Sequence, residues 1–184
     1  LAAQRSAARV EEQPAAQAAS AAMPTPSTTP STGDAMSLPT RIVEALRDDE
    51  DAVLKAWLEG GGSVDATYEF ALPNGTVVRG ITMLMSASGH GRASLVEQLL
   101  THGASLDLQT SEGCTALIFA ASFGHPAIVR CLLRAGAQTG LRDIDGWTAL
   151  QWAQHQGHGE CARVLKAAER RAHTAAPAAA SRAE

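Results

Sequence analysis

No apolar run in this chain approaches the ~18 residues that a membrane-crossing helix needs, which excludes a helical span. The first residues lack a basic flank followed by an apolar core, so they do not read as a secretory leader. An Ala/Arg/Ser-rich opening is faintly similar to an organelle transit peptide, but Glu11 and Glu12 leave that reading without support and organelle targeting stays open. Cysteine is scarce and odd in number, with three residues at 114, 131 and 161. So spaced, they form no disulfide framework and no Cys-x-x-Cys pair, which suits a reducing compartment and an intracellular location, cytoplasmic or nuclear. Positive charge is in deficit: residues 37–168 hold 10 Lys/Arg against 14 Asp/Glu, the wrong sign for binding a phosphate backbone by counterion release. Catalytic signatures are missing too. There is no G-x-S-x-G, no phosphate-cradling loop and no H-E-x-x-H. A nucleophile needs an adjacent base and an orienting group, and Ser and Thr here are mostly caps or linker. The chain is therefore expected to be no enzyme, to need no cofactor or metal, and to avoid nucleic acid and membranes.

What the chain does contain is a repeat. Gly80-Ile81-Thr82-Met83-Leu84, Gly113-Cys114-Thr115-Ala116-Leu117 and Gly146-Trp147-Thr148-Ala149-Leu150 superpose at an offset of 33 residues. Downstream, Gly91 aligns with Gly124 and Gly157, Leu99-Leu100 with Leu132-Leu133, and Gly103-Ala104 with Gly136-Ala137. Each residue type suits a short helical hairpin. Thr ahead of a helix caps its free N–H groups. Glycine ends the first helix at a left-handed position. Leu95-Val96, Ile128-Val129 and Cys161-Ala162, with apolar pairs one turn later, give the second helix its buried stripe.

This pattern resembles the ankyrin repeat, which carries G-x-T-x-L, small residues, L-L and G-A at a period near 33. The resemblance implies an all-α solenoid of stacked helix-turn-helix units joined by β-hairpin turns, used to bind another protein or peptide. Departures from the family pattern are confined to a few places. Its T-P-L-H becomes Thr82-Met83-Leu84-Met85, Thr115-Ala116-Leu117-Ile118 and Thr148-Ala149-Leu150-Gln151. Without the proline the first turn loses its pre-set φ, and without the histidine each unit loses a hydrogen-bond network to its threonine. Somewhat lower stability with an unchanged fold is expected. The more polar Arg163-Val164-Leu165-Lys166 suits a C-terminal cap facing water.

A degenerate unit comes first, with helices over Arg41–Leu46 and Asp51–Leu58 and an exit turn at Gly60–Ala66. Its Val53-Leu54 matches Leu95-Val96 at an offset of 42, so nine extra residues lie between the first two units. They fall in Thr67–Arg79, where Tyr68-Glu69-Phe70 and Thr76-Val77-Val78 flank Pro73-Asn74-Gly75. Asn-Gly between β-prone runs reads as an elongated hairpin finger; the competing reading is a disordered surface loop. Being outside the period, the finger is expected to be dispensable for the stack.

The expected layout is a disordered Ala/Pro/Ser/Thr-rich segment 1–36, a repeat domain 37–169 and a disordered tail 170–184. Within the domain the units span about 38–66, 77–109, 110–142 and 143–169, with the inserted hairpin at 67–79. The chain opens on Leu1 rather than Met, which reads as a processed chain or a piece of a longer one. Thr25-Pro26 and Thr29-Pro30 are dipeptides common in any such linker.

By resemblance, the partner-binding positions lie at hairpin tips and on the inner helix face. Here they hold Arg79, Ile81, His90, Glu112, Cys114, Phe123, Arg142, Asp145, Trp147, His155 and Gln156. With only three Trp, three Phe and one Tyr in the chain, Phe123 and Trp147 stand out as anchors; alternatively Trp147 packs on a neighbouring hairpin and Phe123 shields the core. Cys114, at a hairpin position, is expected to be the reactive thiol, and Cys161 a small buried hydrophobe. His155, His158 and Cys161 are spaced like ligands, but the repeat puts them across a helix break, so no metal site is read there. Two function classes stay open: a monomeric non-catalytic interaction module, or a regulatory segment of a larger enzyme such as a ubiquitin ligase or kinase.

Overall fold

The fold was obtained as a computed structural model, which describes residues 38–48, 50–71 and 75–175. The expected disorder of 1–36 and the Pro73-Asn74 half of the finger's turn lie outside the described residues, as do residues 176–184. Among those described, eight helices follow one another in pairs. They are α1 (Thr40–Arg47), α2 (Asp51–Glu59), α3 (Met83–Gly89), α4 (Ala93–Thr101), α5 (Ala116–Ser122), α6 (Pro126–Ala135), α7 (Ala149–His155) and α8 (Gly159–Ala175). One antiparallel pair of strands, β1 (Thr67–Ala71) and β2 (Val77–Thr82), precedes α3.

The helix pairs stack in register. α3 packs on α5 and α5 on α7, while α4 packs on α6 and α6 on α8; α1 reaches α3. Local chemistry sets where α3, α5 and α7 begin. Thr82, Thr115 and Thr148 accept through Oγ1 from the N–H groups of Met85, Ile118 and Gln151 at 3.2, 3.2 and 3.4 Å. Each satisfies one donor that a helix start leaves over. At the last unit Gln151 Oε1 also accepts from the Thr148 N–H at 2.9 Å, completing a reciprocal cap. The glutamine thus restores one bond to the threonine that the missing family histidine was expected to cost.

Glycines 91 and 124 end α3 and α5 at φ 77° and 75°. A Cβ at either would come within 2.8 or 2.6 Å of an imidazole carbon or nitrogen, of His125 and His158 respectively. Those rings belong to the next unit, and each reaches back across the interface: His125 Nε2 donates to the Gly89 carbonyl (3.0 Å) and His158 Nε2 to that of Ser122 (3.1 Å). At the equivalent place in the second unit Arg92 donates to the Leu46 carbonyl (2.9 Å) and pairs with Asp51. Aspartates tie the exit turns in the same manner. Asp65 accepts from the backbone and hydroxyl of Ser105, and Asp107 from the backbone and amide of Gln138.

The core runs the length of the stack. Leu54 and Leu58, then Leu95, Val96 and Leu99, then Ile128, Val129 and Leu132, then Cys161 and Leu165 are buried stripes of successive outer helices. The inner helices α3 and α5 are buried at every residue.

Two expectations are corrected. The finger is paired as a hairpin, with Thr67 opposite Thr82, Tyr68 opposite Ile81 and Phe70 opposite Val78, and a bulge between Tyr68 and Phe70. It is not an appendage, however. Phe70, Val78 and Ile81 all belong to the buried core, and Leu38 N–H donates to the Thr67 carbonyl at 2.8 Å. Burial pushes the Tyr68 phenol up, partly offset by its hydrogen bond to Ser86 of α3. The apolar alternation of a two-stranded hairpin needs a face to cover, and here β2 packs on α3 while Tyr68 of β1 meets Ser86 of that helix. At the other end α8 continues to Ala175, past the expected boundary at 169.

Candidate functional site

The turns ahead of the inner helices line up as a row of hairpins. Ser111 N–H donates to the Arg79 carbonyl (2.9 Å) and Arg79 N–H to Ser111 Oγ (3.1 Å). One unit on, Ile144 N–H donates to the Glu112 carbonyl (3.0 Å). Gln109 spans the same two hairpins, giving its amide to the Gly113 and Arg142 carbonyls. Each tip is closed by a buried acceptor. Thr110 Oγ1 takes the N–H groups of Glu112 and Cys114, both at 3.2 Å. In the next tip Asp143 Oδ1 takes those of Asp145 (3.1 Å) and Trp147 (2.8 Å), while Oδ2 takes the indole N–H of Trp152 at 2.6 Å.

On this frame Arg79, Arg142 and Asp145 are exposed along the tips, and Glu112 is half-buried beside them. Arg79 pairs with Glu69 of the finger at 3.1 Å, and Arg142 donates to the Gly146 carbonyl at 2.6 Å. His90, Phe123 and Gln156, one per unit, sit just past the inner helices; His90 is exposed and the other two are half-buried. Phe123 stacks on Phe119 with ring centroids 6.4 Å apart. Trp147 is half-buried and leans on Trp152 (5.2 Å), with His155 edge-on to it at 4.9 Å. Both aromatics are therefore partly buried and pack on rings of their own unit.

Two of the expected contact residues are not on the surface. Ile81 is 1% exposed and Cys114 5% exposed, both within the buried core. Their shared repeat position points inward in these two units, whereas at Trp147 a larger ring at the end of the row remains half out. The inner helix face gives little else in the middle of the stack, since α3 and α5 expose nothing, whereas α7 shows Gln151, Gln154 and His155. What the sequence reading missed is Ile144, 63% exposed at the tip of the last hairpin, and Leu108 near the preceding one. The available signal was an isoleucine standing where the previous unit has Ser111, a large apolar residue inside a turn.

Burial also decides the thiol chemistry. Desolvation first, then the carboxylates of Asp143 and Glu112, push the Cys114 thiol up to about 12. Cys114 is thus a buried thiol held in its protonated form rather than the reactive one. Cys161 is shifted up as well by burial, with Glu160 adding to it. Iodoacetamide at pH 8 should therefore label the native chain at half-buried Cys131 and reach the other two only after unfolding, as read by peptide mass spectrometry. Because the folded thiol at 114 keeps its proton where the unfolded one loses it, stability should fall as pH rises from about 9 to about 12, with a slope approaching 1.4 kcal/mol per pH unit. Denaturant midpoints of Cys114→Ala should lack that component. An identical alkaline slope in the variant would contradict the assignment.

His155 is engaged with Trp147, His158 with the Ser122 carbonyl, and Cys161 is buried, so the three do not face one another. Among the described residues no three His, Cys, Asp or Glu side chains gather as ligands, and no helix is long and apolar enough to cross a membrane.

Comparison with known proteins agrees with this geometry. The family model described as Ankyrin repeats (3 copies) matches residues 43–143 and again 84–176. No curated protein matches the chain. Ankyrin repeats are generally protein–protein interaction modules, and the two matches together span the helix pairs from within α1 to the end of α8. The capped inner helices, the glycine-closed turns and the row of bonded hairpins are those of a helical repeat protein, and this chain belongs to the ankyrin repeat family.

Proposed function

We propose that this chain is a non-catalytic interaction module that holds another protein or peptide along its hairpin tips and the adjoining ends of its inner helices, on the side that is concave in the family. The observation that carries the reading is the last hairpin. Its tip displays Ile144, the most exposed large apolar side chain among the described residues, next to half-buried Trp147 and flanked by Arg142 and Asp145. An exposed aliphatic and an aromatic with charged neighbours have the makings of an interface centre with a polar rim. Arg79, Glu112, His90, Phe123, His155 and Gln156 extend the same surface. Three free cysteines, two of them buried, favour a reducing, intracellular setting for a monomeric module.

The test is affinity capture with the full chain as bait, compared quantitatively with Ile144→Asp and Phe123→Ala. Partners should be lost from both variants, each substitution weakening capture by roughly 1–2 kcal/mol or more. Arg134→Ala, exposed on α6 away from the tips, should capture the same set as the native chain. Capture that is insensitive to both tip variants would sink the proposal.

A further inference from the structure

Among the described residues the last unit carries a groove of about 320 Å³ between α7 and α8, lined by Gln154, Ala162, Arg163, Lys166, Ala167 and Arg170. Its position in the repeat explains its shape. At the 33-residue period Gln154 corresponds to Ser88 and Ala121, Ala162 to Val96 and Val129, and Lys166 to Leu100 and Leu133. In the two preceding units Ser88, Ala121, Val96 and Val129 are fully buried, because α5 and α6, then α7 and α8, pack against their helices. The groove is thus the stacking face of the last unit, with its lining changed. A leucine has become Lys166, a small buried residue has become Gln154, and the valine has shrunk to Ala162.

Those changes unsuit the face for the apolar side of a further repeat and suit it for negative charge. Arg163, Lys166 and Arg170 follow one another at helical spacing, covering about 10 Å along α8 at a rise of 1.5 Å per residue. All three are exposed, and no carboxylate lines the groove. Of the two carboxylates on α8, Glu160 is taken by Arg130 at 2.9 Å and adds only a longer-range attraction to Arg163, while Glu169 lies outside the lining. This concentration of cations stands against a repeat region that is acidic overall, with 10 Lys/Arg to 14 Asp/Glu over 37–168. A nucleic acid would meet that repulsion over most of its length. A bilayer surface would need large apolar side chains beside the cations, and the groove offers only Ala162 and Ala167.

We propose that the groove between α7 and α8 docks a short acidic peptide segment of a partner protein, whose carboxylates meet Arg163, Lys166 and Arg170. This surface is distinct from the hairpin tips, so it adds a second contact to the module, and either reading can fail without the other.

The experiment titrates the full chain into fluorescein-labelled octaglutamate and reads anisotropy at low and at physiological salt. Binding should be saturable and weaken as salt rises. The triple variant Arg163→Gln, Lys166→Gln, Arg170→Gln should lose about tenfold or more in affinity. A charge-matched triple, Arg41→Gln, Lys55→Gln, Arg134→Gln, should keep the native affinity. Equal losses in the two triples would mean diffuse attraction rather than a site and would overturn the proposal. So would sedimentation with phosphatidylserine vesicles in the absence of peptide binding, which would assign the cations to a membrane.

Discussion

Replacing Phe70 by Ala should destabilise the protein by about 3–5 kcal/mol, the range for emptying a buried aromatic site. Phe70 is 5% exposed and shares the core with Val78 and Ile81 from the other strand and with the inner helices. The finger therefore acts as a lid on the second unit, and its two strands hold the start of α3 through Thr82 and the chain entering α1 through Leu38. Shortening 67–79 to an ordinary hairpin should be costly for the same reason, although loop length alone costs little. Guanidinium unfolding followed by circular dichroism measures both effects. Glu69→Ala, on the exposed side of β1, is the matched control, expected within about 0.5 kcal/mol of the native chain. Were Phe70→Ala to fall within that margin as well, the finger would be an ornament and its burial energetically idle.

Asp143→Ala should cost about 3 kcal/mol and act mainly on the last unit. One side chain there accepts from two backbone N–H groups of the hairpin tip and from the indole of Trp152, which is 0% exposed. Removing it leaves a buried indole donor with no acceptor and loosens the tip that carries Ile144 and Trp147. Asp143→Asn keeps an oxygen for the backbone groups but turns an N–H toward the Trp152 N–H. Trp152→Phe relieves that conflict, so the Asn and Phe substitutions should be non-additive by about 1 kcal/mol or more. Tryptophan fluorescence of the single variants should report the last unit loosening at lower denaturant than the far-ultraviolet signal. Full additivity of the pair would show that Trp152 is held by packing alone.

Most of the architecture was legible because its causes are local. A threonine caps the helix that follows it, a glycine takes the left-handed turn wherever it stands, and an apolar pair recurring at helical spacing has a face to bury. Repetition of these signals at 33 residues made each copy a check on the others. The finger's strands were legible for the same reason, from β-prone runs around Asn74-Gly75. Its role was not, because the burial of Phe70 depends on residues far away in the chain that share its core cluster.

The amino-acid sequence by itself thus determined the repeat, its helix starts and stops and the family. Only the tertiary structure decided which side chains face water. Ile81, Cys114 and Trp147 share one repeat position, yet the first two are buried and the third is half-exposed. Accessibility depends on neighbours in adjacent units as well as on the residue itself, and among the described residues the last hairpin has a neighbour on one side only. That same one-sidedness leaves Ile144 at the tip and the cationic groove of α8 open to solvent.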